Sequence, residues 1–147
     1  MRCYDARVPT RPPELVERLR AALRQGPPVS LAVLFGSTVR GGSRPDSDVD
    51  VAILPVQSGL DDADELNLAR ELTLAARAEV DLVRLDTAST LLKWQVATTG
   101  VPLTEISPGE FASFQARAAS EYIEFAPALA YHGEIFRRRL MEGGPRG

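Results

Sequence analysis

Apolar residues recur along the chain with two different periods, and the changes from one to the other predict a series of helices and strands. Leu15, Leu19, Ala22 and Leu23 fall at i, i+4, i+7 and i+8, the stripe of an amphipathic helix. Pro12-Pro13 suits its first turn, and Gly26-Pro27-Pro28 stops it. Val29 to Phe35 is an apolar run too short for a helix, which predicts a buried strand ending at Gly36-Ser37. Gly41 to Ser47 is a loop by its turn residues. From Asp48 to Leu54 the pattern is that of a strand, with Asp48 and Asp50 on one face and Val49 and Val51 on the other. Pro55 ends it. A helix is expected from about Asp61 to Arg77, opened by Asp61, Asp62, Asp64 and Glu65, whose charges suit the positive end of the helix dipole. Val80 to Leu85 reads as a third strand carrying Asp81, and Ser89 to Thr99 as a helix closed by Gly100. Ser107-Pro108-Gly109-Glu110 fits a capping box with proline at the first helical position, so a long C-terminal helix should start there. Pro127 should kink or break that helix near its middle.

This order of elements is that of an α/β chain with a small sheet. At 147 residues, a single domain is expected over 1–147, with a core at about 15–105 and C-terminal helices at about 108–141. Hydrophobic residues at 44% and charged residues at 25% make a globular composition and exclude a disordered chain. The net charge of −3 weakens the case for a protein that grips nucleic acid by neutralising phosphates. No apolar stretch approaches the ~18 residues of a membrane span. Met1 to Arg7 lacks the apolar core of a signal peptide, and Cys3, the one cysteine, has no internal partner. These features together give a cytoplasmic expectation.

Chemistry concentrates in Leu34 to Val51, where Gly36-Ser37 is followed after ten residues by Asp48-Val49-Asp50. A Gly-Ser turn at a strand end frees backbone N–H groups and a hydroxyl for phosphate oxygens. Two carboxylates at period two, about 6–7 Å apart at the backbone, could converge on one divalent ion or a pair. Magnesium prefers a few carboxylates plus nucleotide phosphates, and two such ions stabilise the attacking and leaving oxygens of a phosphoryl displacement. Rival motifs fit less well. A Walker A loop starting at Gly36 would need lysine at Gly42, with a helix following rather than Arg44-Pro45-Asp46. An EF-hand loop starting at Asp46 would need glycine at Val51 and glutamate at Gln57. The bland alternative is a simple turn followed by solvated aspartates.

Gly36-Ser37-x-x-Arg40-Gly41 and Ser47-Asp48-x-Asp50 resemble the signature of the DNA polymerase beta-like nucleotidyltransferase superfamily, and of its minimal (MNT) members in particular. The third carboxylate of that family matches Asp81 in Glu79-Val80-Asp81. Leu91-Leu92, Gly100-x-Pro102-Leu103, Phe114 and Tyr122-x-x-Phe125-x-Pro127 look like the C-terminal half of MNT antitoxins, which are encoded beside HEPN-domain ribonuclease toxins. The resemblance covers roughly Leu15 to Leu140. It implies a small mixed sheet flanked by helices, with a helical C-terminus. By the same resemblance the chain would transfer AMP from ATP to a tyrosine hydroxyl of a cognate HEPN toxin, in a hetero-oligomer and without direct contact to nucleic acid. Gly36, Ser37 and Arg40 would bind the nucleotide. Asp48, Asp50 and Asp81 would be catalytic and hold Mg2+, as two ions, with Asp81 also a candidate base. The alternatives are a small-molecule, aminoglycoside-like nucleotidyltransferase, for which the short stretch after Asp81 leaves little acceptor domain, and an antitoxin that masks its toxin without catalysis.

Other residues carry weaker signals. His132, the only histidine, suits a helix surface, and Trp94 suits helix packing. Arg137-Arg138-Arg139 places favourable charge at a helix C-terminus, or meets RNA or a partner's carboxylates. Tyr122, Phe125 and Tyr131 are expected on one helical side, as core or partner interface.

Overall fold

β1 (Val29–Phe35) lies between two other strands, and both its faces are covered, which is why its sequence is apolar without alternation. The computed structural model describes residues 13–40 and 48–142, with the side chains of Arg40 and Leu129 outside the description. Cys3 and the predicted loop from Gly41 to Ser47 therefore lie outside the described residues. β1 pairs antiparallel with β2 (Val49–Pro55) on one side and with β4 (Val101–Glu105) on the other. β3 (Val80–Arg84) adds parallel to β2, giving a mixed sheet in the order β3-β2-β1-β4. The expected small mixed sheet flanked by helices is what the chain forms. No described helix is long and apolar enough to cross a membrane.

Two apolar clusters sandwich the sheet. On one face, Leu15, Leu19 and Leu23 of α1 (Pro13–Gln25) and Leu68 and Leu72 of α3 (Asp62–Ala76) meet Leu34, Val51 and Ile53. On the other face, Val96 and Ala97 of α4 (Thr90–Thr99) and Phe111, Phe114 and Ala118 of α5 (Glu110–Glu142) meet Leu31, Val33 and Ala52. Truncating a fully buried leucine such as Leu34 or Leu72 to alanine costs about 2–5 kcal/mol. The crossover helix α3 is capped by Asp61, whose side chain accepts from the Asp64 N–H at 2.7 Å. It ends on Arg77, held at φ 56°.

Three features depart from the sequence expectation. β4 follows α4 directly, although Val101-Pro102-Leu103-Thr104-Glu105 has no clear strand pattern. Proline is tolerated because β4 is an edge, and the register with β1 slips between Ala32 and Val33, opposite Thr104 and Pro102. Arg20 of α1 donates to the Leu103 carbonyl at 3.0 Å and to that of Pro102 at 3.4 Å, occupying acceptors that an edge leaves open. Second, α5 begins at Glu110 and not at a box built on Ser107. Its first turn is served by Glu105, whose carboxylate accepts from the Phe111 N–H at 2.7 Å. Third, of the two outcomes expected at Pro127, a kink or a break, the break does not occur: α5 runs 33 residues, about 50 Å, with the proline inside it.

Candidate active site

The chain leaves β1 at Phe35, turns at Gly36 and forms the short helix α2 (Ser37–Arg40). The turn holds Gly36 at φ +83°, a conformation glycine adopts without strain. A second constraint acts on the same residue. A Cβ at Gly36 would run into the Asp50 carboxylate, so the turn and the carboxylate lie against each other. The Val39 N–H donates to the Gly36 carbonyl at 3.1 Å and closes the turn. Ser37 follows with its side chain exposed. Arg40 ends α2, and its side chain is outside the description.

β2 and β3 bring the aspartates to the same end of the sheet. Asp50 stands opposite Phe35 in the antiparallel pair with β1 and opposite Asp81 in the parallel pair with β3. Opposite residues of neighbouring strands point to the same face, so these two carboxylates are side by side. The Val49 N–H donates to the Glu79 carbonyl at 2.9 Å and ties the two strand beginnings together. Asp48, exposed and two residues before Asp50, extends the row. Ala52 and Val83, two residues further along β2 and β3, pack in the α4–α5 cluster. The aspartates thus occupy the end of the face that α4 and α5 cover, where apolar packing stops.

The charges of Asp81 and Asp48 both bear on Asp50. The half-buried Asp50 carboxyl is pushed above its ordinary value, first by burial, then by the charge of Asp81, then by that of Asp48. Among the described residues no ion pair involves any of the three. Nor do three carboxylate, thiolate or imidazole side chains there close into a ready-made metal cage. The donor set is all oxygen and carries negative charge with no ion-pair partner among the described residues. That suits a hard cation such as Mg2+, which takes one or two carboxylates and completes its shell with water and phosphate oxygens. A preformed three-ligand cage is not required.

The structure thus brings together Gly36, Ser37, Asp48, Asp50 and Asp81 from the motif, with the Arg40 backbone beside them. Gly41 and Ser47 of the same motif lie outside the described residues. Reading the sequence had assigned Gly36 to phosphate alone; its contact with Asp50 depends on the β1–β2 register, which no local pattern reveals. Two weaker readings hold: His132 is exposed on α5, and Trp94 packs, its ring stacked on Tyr122 with centroids 4.4 Å apart. One fails. Tyr131 lies about 180° around α5 from Tyr122, exposed and edge-on to His132.

A family model described as polymerase beta, nucleotidyltransferase, matches residues 17–108. Over 77 residues the chain is 42% identical to the protein adenylyltransferase MntA of Shewanella oneidensis. That stretch is 52% of this chain and 55% of MntA, so the match spans about half the length of this curated relative. Among solved structures, a chain of a toxin–antitoxin crystallised with AMP-PNP superposes with a TM-score of 0.71 and 32% identity, covering 82% of this chain and 98% of that one. A complex of tri-AMPylated Shewanella oneidensis HEPN toxin with MNT antitoxin superposes with a TM-score of 0.66 and 30% identity, covering 83% and 96%.

Proposed function

The chain belongs to the polymerase beta nucleotidyltransferase family, and on that premise we propose that it is an antitoxin that transfers AMP from ATP to a tyrosine hydroxyl of a cognate HEPN toxin. One observation carries the reading: Asp50 is paired in register with Asp81 while its carboxylate lies against the Gly36 turn. A turn with free backbone N–H groups and a pair of carboxylates thereby meet, which supports reading them as groups for phosphate and metal. Likeness to an adenylyltransferase and to chains of toxin–antitoxin complexes supports the choice of donor and acceptor.

In this mechanism the Gly36 turn and the Ser37 hydroxyl hold the triphosphate, and Arg40 neutralises part of its charge. Asp48, Asp50 and Asp81 would hold Mg2+, which when bound offsets negative charge on the phosphates. The tyrosine oxygen attacks the α-phosphorus of ATP, a new P–O bond forms, and the bond to the β-phosphate oxygen breaks. Products are AMP-tyrosine and pyrophosphate. The phenolic proton passes to a carboxylate of the site, and the exposure of Asp81 supports it as a candidate beside its role as ligand. Residues 1–147 act as one catalytic domain, with α5 as its C-terminal helix.

A modifying antitoxin turns over; a masking one does not. The test is the ribonuclease activity of the cognate HEPN protein across a titration with this chain, with and without ATP and magnesium, followed by intact-mass measurement. Substoichiometric silencing that requires ATP and adds adenylyl mass is expected. Neutralisation that needs equimolar protein, ignores ATP and leaves the toxin mass unchanged would replace this reading with masking. Adenylylation of an aminoglycoside in place of the protein would replace it with the small-molecule reading.

A further inference from the structure

β3 is an edge strand, held to the sheet on one side only. The Val49 N–H donates to the Glu79 carbonyl at 2.9 Å, and the Leu85 N–H donates to the Ile53 carbonyl at 2.8 Å. Odd-numbered residues of β3 therefore turn their backbone groups toward β2, and even-numbered residues turn theirs toward the open edge. Val80, the first residue of the strand, is even-numbered and buried, so its N–H needs an acceptor from outside the sheet. That acceptor is the Thr73 hydroxyl of α3, at 3.2 Å.

Thr73 holds both ends of the connection from α3 to β3. Its carbonyl accepts from the Arg77 N–H at 3.0 Å, where the helix ends, and its hydroxyl accepts from the N–H three residues later, where the strand begins. A threonine hydroxyl inside a helix commonly serves its own helix; this one serves a strand. The Val80 side chain packs in the same cluster as Leu68, Leu72 and Ala76 of α3, so helix and strand are joined there by packing as well. Asp81 comes next. Strand alternation turns its side chain to the opposite face, where it is exposed and no ion pair among the described residues steadies it. The place of its carboxylate opposite Asp50 thus rests on the backbone around Val80, which β2 grips from one side and Thr73 from the other. A loss of the Thr73 bond leaves a buried N–H unpaired at the point from which Asp81 projects, on the one flank where no further strand can take it up.

We propose that Thr73 is a positioning residue of the site: its hydroxyl keeps Asp81 in register with Asp50 and so sets the affinity of the carboxylate row for a divalent cation. The proposal rests on the reading of Asp48, Asp50 and Asp81 as a cation site. Mn2+, a hard ion suited to carboxylates, tests it apart from any transfer reaction: it is added to the full chain without nucleotide, and the free ion is counted by electron paramagnetic resonance. Thr73→Val keeps the shape of the side chain and removes the acceptor, and Mn2+ affinity should fall about 10-fold. Thr73→Ser keeps an acceptor and should bind Mn2+ within about threefold of the parent chain. Asp61→Ala removes the cap at the other end of α3, so it should lower the melting temperature while leaving Mn2+ affinity within about twofold. In AMP transfer, Thr73→Val should raise the magnesium concentration at half-maximal rate about 10-fold and leave the rate at saturating magnesium within about threefold. Parent-like Mn2+ affinity in Thr73→Val, a loss that Asp61→Ala reproduces, or a loss of the same size in Thr73→Ser overturns the proposal and leaves the reading of the carboxylates standing. Mn2+ binding that Asp48→Asn/Asp50→Asn leaves unchanged overturns that reading, and the proposal with it.

Discussion

The two ends of the parallel β2–β3 pair handle charge in opposite ways. At the C-terminal end, Arg84 donates to Asp86 at 2.8 Å, to Glu65 at 3.3 Å and to the Leu60 carbonyl at 3.1 Å. Those bonds hold the Asp86 carboxyl below its ordinary value and push the Arg84 guanidinium up. At the N-terminal end, Asp48, Asp50 and Asp81 crowd one face with no ion-pair partner among the described residues, and the Asp50 carboxyl is pushed up. One end is satisfied within the chain. The other has no ion-pair partner among the described residues, at the stability cost of like charges held together. That difference marks the site more sharply than any cavity does.

The largest expected effect removes the charge at the unsatisfied end. In the Asp48→Asn/Asp50→Asn variant, AMP transfer should fall by at least about 10³-fold, since the groups proposed to hold the cation against phosphate are gone. The fold should not weaken, because the repulsion acting on Asp50 is gone too. Labelled-ATP transfer to the HEPN protein and a thermal melt measure the two halves. Undiminished labelling would break the comparison outright.

A smaller effect is expected at Ser37, which adds no charge. Replacing it with alanine deletes one hydroxyl placed for a phosphate oxygen, a bond worth ~1.5–3 kcal/mol when its partner is charged. Transfer should drop by roughly one to two orders of magnitude. Unchanged ATP affinity and turnover would leave Ser37 as a turn residue and confine the functional end to the carboxylates.

Much of this site could be read from the chain because its parts are local. Gly36, Ser37, Asp48 and Asp50 sit at fixed short spacing, and strand alternation alone puts Asp48 and Asp50 on one face. α1, β1, α3 and α4 were legible for the same reason, each being a periodic run between glycine, proline or capping residues. What the chain hid is non-local. That Asp81 stands opposite Asp50 is a parallel register created by the α3 crossover. β4 stayed invisible because an edge strand of five residues around Pro102 needs β1 to define it. α2, four residues long, is too short to show a period. At Pro127 the sequence left a kink or a break open, and only the break is excluded: proline removes one donor and strains one turn, and α5 continues on both sides of it.

The smallest effects sharpen the comparison through pH. Asp86 has a folded pKa below its ordinary value of 3.8. Its contribution is therefore present above that value and lost as pH falls through the folded value. Asp50 has a folded pKa above 3.8, so its ionised form opposes folding. Stability from Asp50 is complete below 3.8 and is lost as pH rises through the folded value. Replacing each with asparagine should then shift the melting temperature in opposite directions at pH 7, up for Asp50→Asn and down for Asp86→Asn, by roughly 1–3 °C each. The two differences should shrink at different points on acidification: the Asp50 difference first, above pH 3.8, and the Asp86 difference only below it. Magnesium should add a further distinction, raising the melting temperature of the parent chain and of Asp86→Asn more than that of Asp50→Asn, because the proposed cation site lies at the N-terminal end. Equal responses of the two variants to pH and to magnesium would mean that the ends of the sheet do not differ in kind.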